Sequence, residues 1–441
     1  MKDNTQYIRW LDTILPQSSE RTLVLITGAR QTGKTTSARR CYRALRYVNL
    51  DAIEYRLQLD EVSSFGWGKT VGPAVLDEVQ KLPGIFDKLK FAFDERAIDF
   101  SVLLGSAQIL LLRNVRETLA GRISVYELWP LLLTELVAGS SAAALVPPLL
   151  ADILEKGSVA KVCGAEPEVL LGSTAAHVAE AEAYLLAWGG MPALLPLSEQ
   201  RRREWLRSYE LTYLERDLAD LARLQDLAPF RRFQQLAAAR SGQLLSYSEL
   251  ARDASVSVET ARRYLEYLRI SYQAFLLQPY SRNLTSTLVK TPKLYWADIG
   301  MLRQATGADG ISAGALFENY VVSEIVKYLR TLQLEVTPYF YRTRSGMEVD
   351  LLLRSDRGVL GIEIKASAKV APTDATRLAE IGAALGREWL GGIVVYRGQR
   401  VHALRENVWA VPSWRLLTGN HSGIHEYAKT PKEHKRNIGN K

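Results

Sequence analysis

Cysteine is almost absent from this chain: Cys41 and Cys163 are the two thiols among 441 residues. Two distant thiols build neither a disulfide framework nor a zinc knuckle, so a reducing compartment is expected. Long apolar runs are missing as well. No stretch of about eighteen uncharged apolar residues occurs, and the cluster near Leu128–Leu136 is short and broken by Pro130 and Glu135. No charged, apolar and small-residue signal pattern opens the chain. The expectation is a cytoplasmic protein with no membrane partner. A strong charge bias is lacking too. The net charge of +8 and pI of 9.3 lean toward an anionic partner, yet residues 421–441 hold five Lys/Arg against two Glu and supply +3 of it. What remains is an ordinary globular composition, 47% hydrophobic and 24% charged, enough for about three domains with real cores.

Against that plain background one stretch stands out. Leu23–Thr27 are apolar or β-branched, as suits a central parallel strand, and Gly28-Ala29-Arg30-Gln31-Thr32-Gly33-Lys34-Thr35-Thr36 follow directly. Gly28, Gly33, Lys34 and Thr35 fit G-x-x-x-x-G-K-[ST]. In that pattern the loop's backbone N–H groups cradle the phosphates of ATP, the lysine reaches the β/γ-phosphates and the hydroxyl takes Mg²⁺. Lys34–Leu45 can continue as a helix whose N-terminus faces the phosphates. The flanking strand and helix favour this reading over a bare glycine turn.

Tyr47–Asp51 reads as a second strand and Pro73–Glu78 as a third. The third ends in Asp77-Glu78, where Asp77 would hold the Mg²⁺ water shell and Glu78 would polarise the attacking water. Taken alone, the dipeptide also fits a solvated acidic turn. Asp99–Ser106 gives a fourth strand. In P-loop ATPases with the extra catalytic glutamate, this strand lies between the first and third and presents a polar sensor to the γ-phosphate. Ser106 is that candidate, with a helix N-cap as its other role. Arg122 is a candidate arginine finger, a device worth about 10³–10⁵ in rate, or else a solvated loop arginine. Residues 123–128 would close the sheet.

From Val137 to about Ala179, Ala, Leu and Val dominate with irregular periodicity. Trp188-Gly189-Gly190-Met191-Pro192 breaks the helical pattern, and Gln200–Leu227 resumes it as a lid candidate. Arg216 there either senses a nucleotide or forms an i,i+4 surface pair. Ser246 and Glu249 make a capping box, and Ser257 caps a second helix bearing Arg262, Arg263 and Arg269. Leu250, Ala251, Val256, Ala261, Leu265 and Leu268 would form the core of this module, and Phe275–Pro279 with Lys293–Ala297 a wing. Winged helices lay the second helix in the DNA major groove, though the same fold also serves protein contacts.

Beyond Ala313 the order reads helix, three strands, helix, strand. Glu348 and Asp350 share one strand face, as do Glu363 and Lys365, because side chains alternate across a strand. Carboxylates so placed bind a divalent cation, and a lysine can orient a water against a phosphodiester. Glu318 on the leading helix would complete a metal set of Glu318, Asp350 and Glu363, with Lys365 catalytic. A half-buried sheet with one charged face gives the same alternation.

These stretches, with Leu119–Tyr126, Tyr213–Asp217, Pro279–Asn283, Thr291–Gly300 and Gly314–Val322, resemble a bacterial and archaeal family of AAA-type ATPases. Its C-terminal part is restriction-endonuclease-like. The resemblance implies ATP binding by Lys34, Thr35, Asp77 and Glu78, and a PD-(D/E)xK-like site at Glu318, Asp350, Glu363 and Lys365. The interval Val137–Ala179 is longer than expected for the family. The expected fold is α/β multidomain: a P-loop core (1–136), a helical lid (137–227), a winged-helix-like module (228–312), a nuclease-like domain (313–418) and a basic disordered tail (419–441). The expected function is Mg²⁺-dependent ATP hydrolysis with DNA as partner, possible nuclease activity with a second divalent metal, and a possible homo-oligomer. The alternative is a signalling or scaffold ATPase whose nuclease-like domain is inert and whose winged helix binds protein.

Overall fold

The structure, a computed structural model, describes residues 7–105, 117–141, 145–213, 227–280, 291–307 and 310–419. Ser106, Arg216 and residues 420–441 lie outside the described residues. The chain divides into two compact units. One holds Arg9–Leu131 with Tyr184–Glu348, the other Leu132–Ala183 with Val349 onward.

In the first unit, β1 (Thr22–Thr27), β2 (Arg46–Asn49), β3 (Ala74–Asp77), β4 (Phe100–Leu104) and β5 (Ile123–Glu127) form a parallel sheet. Its order is β2-β3-β4-β1-β5, so β4 lies between β1 and β3 as expected. Both faces are covered, which explains the unbroken apolar runs. Leu23, Leu25, Leu76 and Leu103 face a cluster with Phe86 and Leu89 of helix Ile85–Asp94. Val24, Ile26, Val75, Val102 and Leu104 face Ala38 and Tyr42, beneath helix Lys34–Cys41. Burying each such side chain contributes about 1.5–3 kcal/mol, so a charge on either face of β1 would break the sheet. Because every strand is parallel, the loop after β1 and Asp77 at the end of β3 emerge at the same edge.

The same unit contains helices Glu199–Tyr213, Ala228–Ala239, Tyr247–Ala254 and Val258–Ile270. The expected caps are present: Ser246 Oγ accepts from Glu249 N at 3.3 Å, and Ser257 Oγ from Thr260 N at 3.1 Å. β6 (Ala274–Pro279) pairs antiparallel with β7 (Lys293–Trp296) and parallel with β8 (Thr337–Arg342). Helices Ile299–Thr306 and Ala313–Thr331 complete the unit.

In the second unit, β9 (Glu348–Arg354) pairs antiparallel with β10 (Val359–Lys365), and β11 (Trp389–Tyr396) runs parallel to β10. β12 (His402–Arg405) and β13 (Val408–Pro412) extend the row as β12-β13-β11-β10-β9, with helix Thr376–Leu385 alongside. Helices Leu149–Lys156 and Val159–Cys163 belong here: Leu149 N donates to Thr418 O, and Val401 N to Glu168 O. Arg415, 3% exposed, bonds Glu166 at 2.6 Å. The interval expected as one lid, 137–227, is thus divided between the two units. No helix among the described residues is long and apolar enough to cross a membrane.

Candidate functional site

The loop after β1 is built around backbone that side chains resist. Gly28 has φ +149, and a Cβ there would stand 2.1 Å from Leu128 O, so a glycine is required. Gln31 and Gly33 also take positive φ, and Gly33 opens helix Lys34–Cys41. Thr32 Oγ1 donates to Ala29 O at 2.9 Å, while Lys34 Nζ donates to Gly28 O at 3.0 Å and Ala29 O at 2.7 Å. The buried ammonium thus sits in the mouth of its own loop. Thr35 and Thr36 follow in the first helical turn.

Asp77, 6% exposed, receives Thr35 Oγ1 at 2.7 Å and Tyr47 Oη at 2.8 Å on Oδ2, and Glu78 N at 2.9 Å on Oδ1. Burial and this bond to Asp77 hold the Tyr47 phenol well above its ordinary range. Glu78 itself has φ +56, a left-handed conformation costing a non-glycine residue about 1–2 kcal/mol, and its carboxylate accepts from Gln80 Nε2. The structure thus brings Lys34, Thr35, Asp77 and Glu78 to one edge. The hydroxyl and carboxylate that would share a Mg²⁺ already touch, so the residues present fit the ion.

Two neighbours were not anticipated. Arg9, 4% exposed, donates to Thr32 O at 2.8 Å and Trp129 O at 2.6 Å, tying the loop to the segment after β5. It lies in a segment to which the sequence assigned no chemistry. Glu127 ends β5 in register with Thr27, accepts from Trp129 Nε1 at 3.1 Å and Tyr272 Oη at 3.3 Å, and is raised by burial. Tyr209 Oη donates to Arg30 O at 3.3 Å, so helix Glu199–Tyr213 also reaches the loop.

Arg122 lies elsewhere. Its carbonyl accepts from Leu23 N, at the start of β1, and its guanidinium grips Asp94 at 2.6 and 2.9 Å, holding that carboxyl below the usual range. Five strand steps, roughly 16 Å, separate it from the loop. Arg122, the candidate finger, thus lies at the end of β1 opposite the loop, with Asp94 as its partner. The sensor expectation for Ser106 falls outside the described residues.

The C-terminal set is also rearranged. Glu318 Oε1 accepts from Tyr295 Oη at 2.6 Å and Lys293 Nζ at 3.2 Å, and Lys293, 2% exposed, also pairs with Glu348, which Arg342 meets at 2.9 Å. Glu318 is therefore neutralised by a lysine that the sequence placed in a wing. In the other unit, Glu363 lies one step past the Ile362–Leu351 pair, opposite Asp350 and on its face. Asp350 Oδ2 accepts from Ile364 N at 2.8 Å, and Glu363 Oε1 from Lys365 Nζ at 2.8 Å, with Arg377 at 3.7 Å. Burial pulls the Lys365 ammonium down, but Glu363, Asp350 and Asp374 outweigh it and hold it above its ordinary range. Among the described residues no group of three or more His, Cys, Asp or Glu could hold a metal ion. Within its unit Glu318 is thus paired with Lys293, and within the other Asp350 and Glu363 share a face beside Lys365.

Fold and loop together define an AAA-type P-loop ATPase core, and residues 20–137 match the family described as AAA domain. Residues 180–312 and 313–416 match two families described as domains of unknown function, DUF8612 and DUF4143. Uncharacterized proteins of Mycobacterium bovis and Mycobacterium tuberculosis are each 29% identical over 407 residues, covering 90% of this chain and 81% of theirs. The Walker-type ATPase PABY2304 of Pyrococcus abyssi aligns over 67% of this chain and 99% of its own, with 14% identity and a TM-score of 0.39. DnaA of Aquifex aeolicus, bound to AMPPCP, aligns over 57% and 84% with 16% identity and a TM-score of 0.22.

Proposed function

We propose that the chain is a Mg²⁺-dependent ATPase that contacts DNA through its three-helix module and works as a homo-oligomer. The observation that carries the reading is the 2.7 Å bond from Thr35 to Asp77 beside the loop lysine. Thr35 and Asp77 would hold Mg²⁺, which supplies positive charge against the β/γ-phosphate oxygens. Lys34 exchanges its bonds to the Gly28 and Ala29 carbonyls for phosphate oxygens. Glu78 takes the proton of a water aligned with the γ-phosphorus. The water oxygen bonds to phosphorus as the bond to the bridging oxygen breaks, giving ADP and phosphate.

Arg262 and Arg263 are exposed on helix Val258–Ile270, with Arg262 4.2 Å from the Tyr247 ring, and they would meet DNA phosphates or guanine. Arg122, at the far pole of the sheet, would complete a neighbouring copy's site. Phosphate release from ATP, measured in Mg²⁺ and in EDTA, with and without duplex DNA, tests the reading. Mg²⁺-dependent turnover that rises with DNA is expected, and no turnover in any condition overturns it.

The pairing of Glu318 with Lys293, and of Glu363 with Lys365, favours a second reading for 313–418: a nuclease-like fold kept as a binding module. In that reading the nucleotide state controls assembly. A change of oligomer size with ATP but no affinity for DNA would select it.

A further inference from the structure

A groove of about 420 Å³ opens in the first unit between helices Glu199–Tyr213 and Ile299–Thr306. Arg203 and Arg207, four residues apart on one helix face, and Arg303 from the other helix line it together with Trp188 and Gly300. All three arginines are exposed. Among the described residues Arg207 and Arg303 pair with no carboxylate, and Arg203 has only a solvated contact with Glu199 at 3.8 Å. Glu210 on the same helix is taken by Gln304 Nε2 at 3.1 Å. Like charges at i,i+4 repel, so three guanidiniums around one groove cost stability unless an anion answers them.

The turn beside the groove is fixed tightly. A Cβ on Gly300 would stand 2.0 Å from Trp188 O, one on Gly189 would stand 2.2 Å from Asp298 Oδ1, and Gly190 N donates to Asp298 Oδ2 at 2.7 Å. The Trp188 and Gly300 backbones that line the groove are therefore packed against each other. Trp188 is half-buried, with the guanidiniums of Arg202 and Arg203 at 5.5 and 5.6 Å from its ring. Arginine forks match phosphate oxygens two at a time, and an indole with stacked guanidinium is a surface on which a base can lie. A volume of about 420 Å³ suits one strand rather than a duplex.

We propose that this groove binds the phosphate backbone of single-stranded nucleic acid and that its occupancy is coupled to the nucleotide loop. The coupling element is helix Glu199–Tyr213. Arg203 and Arg207 stand on it, and Tyr209, two residues on, donates to Arg30 O in the loop. A strand that holds this helix in place also holds the loop, and the effect on ATP affinity is matched by an equal effect of ATP on strand affinity. Strand binding stands apart from the duplex contact of Arg262 and Arg263. The coupling rests on the ATPase reading above.

The test is fluorescence anisotropy of a labelled single-stranded oligothymidylate with the full chain over a range of salt. Each lost phosphate contact flattens the log K against log salt slope by about 0.7, so Arg203→Gln/Arg207→Gln/Arg303→Gln should reduce it by about 2. Arg387→Gln, at an exposed arginine with no assigned contact among the described residues, should leave it unchanged. Circular dichroism checks that the triple variant folds; if it does not, the exposed Arg207→Glu alone must reduce the slope. No binding by the unmodified chain, an unchanged slope, or equal competition by poly-glutamate overturns the proposal. Tyr209→Phe should keep oligothymidylate affinity and abolish the shift in ATP affinity that the strand produces. Strand binding without any ATP binding would reject the ATPase reading while leaving the groove assigned.

Discussion

The edge of the parallel sheet and the β9–β10 pair carry the same residue types, a lysine beside carboxylates, and arrange them in opposite ways. At the first, Lys34 is bonded to neutral carbonyls and Asp77 to a hydroxyl and a phenol. Those partners are exchangeable for a phosphate or a cation. At the second, Lys365 is bonded to Glu363, and in the other unit Lys293 to Glu318 and Glu348. Separating a buried ion pair by removing one partner costs about 3–5 kcal/mol, so such charges are not readily given to a ligand. A charged residue set marks a site by what its members are bonded to, more than by its composition.

The sharpest way to break this contrast is at the loop. Lys34→Ala removes charge-assisted bonds worth about 1.5–3 kcal/mol each and should abolish measurable ATP binding in calorimetry. Glu78→Gln should bind ATP normally and turn over about 10²–10⁴-fold more slowly. Wild-type turnover by Glu78→Gln would move the base elsewhere.

Next in size is the brace. Arg9→Ala leaves the carbonyls of Thr32 and Trp129 without their charged donor and should lower stability by about 2 kcal/mol in thermal unfolding. It should also weaken ATP binding, since the loop loses its tie to the chain after β5. Unchanged melting and affinity would show that the loop holds itself.

At the β9–β10 pair the expected effect is smaller. Titration of Mn²⁺ into the Lys34→Ala chain should reveal affinity no tighter than about millimolar. Binding much tighter than this, lost in both Asp350→Ala and Glu363→Ala, would restore a metal centre there and erase the contrast. Smallest of all, Arg122→Ala should leave turnover of dilute, monomeric protein unchanged. A loss in that state would place the finger in its own chain's site after all.

The loop was legible because its four fixed positions, Gly28, Gly33, Lys34 and Thr35, fall in one short stretch and its flanking strand and helix announce themselves. The caps at Ser246 and Ser257 were legible for the same reason: they act over three residues. Arg9 was not, since its partner Thr32 lies 23 residues away and a lone arginine in a short entry segment carries no local pattern. Lys293 was hidden likewise. Within Lys293-Leu294-Tyr295-Trp296 nothing local marks it, because its partners Glu318 and Glu348 come from helix Ala313–Thr331 and the start of β9. Arg122 carried a usable signal: it precedes a parallel strand, and the starts of parallel strands lie at the pole opposite the loop. The Ala-rich interval 137–179 lacked the periodicity that would have assigned it to the C-terminal strands.

The bond from Gly190 N to Asp298 Oδ2 joins residues 108 apart in sequence. Closing a loop of that length costs on the order of 4 kcal/mol in chain entropy, and nothing is recovered until both ends are in place. The Trp188–Met191 turn and the start of helix Ile299–Thr306 should therefore order together and late, after their local helices have formed. A protease cut anywhere in the intervening chain would leave two fragments that must find each other at a bimolecular rate. For this protein, resistance to limited proteolysis between 190 and 298 is then a measure of how completely the first unit has finished folding.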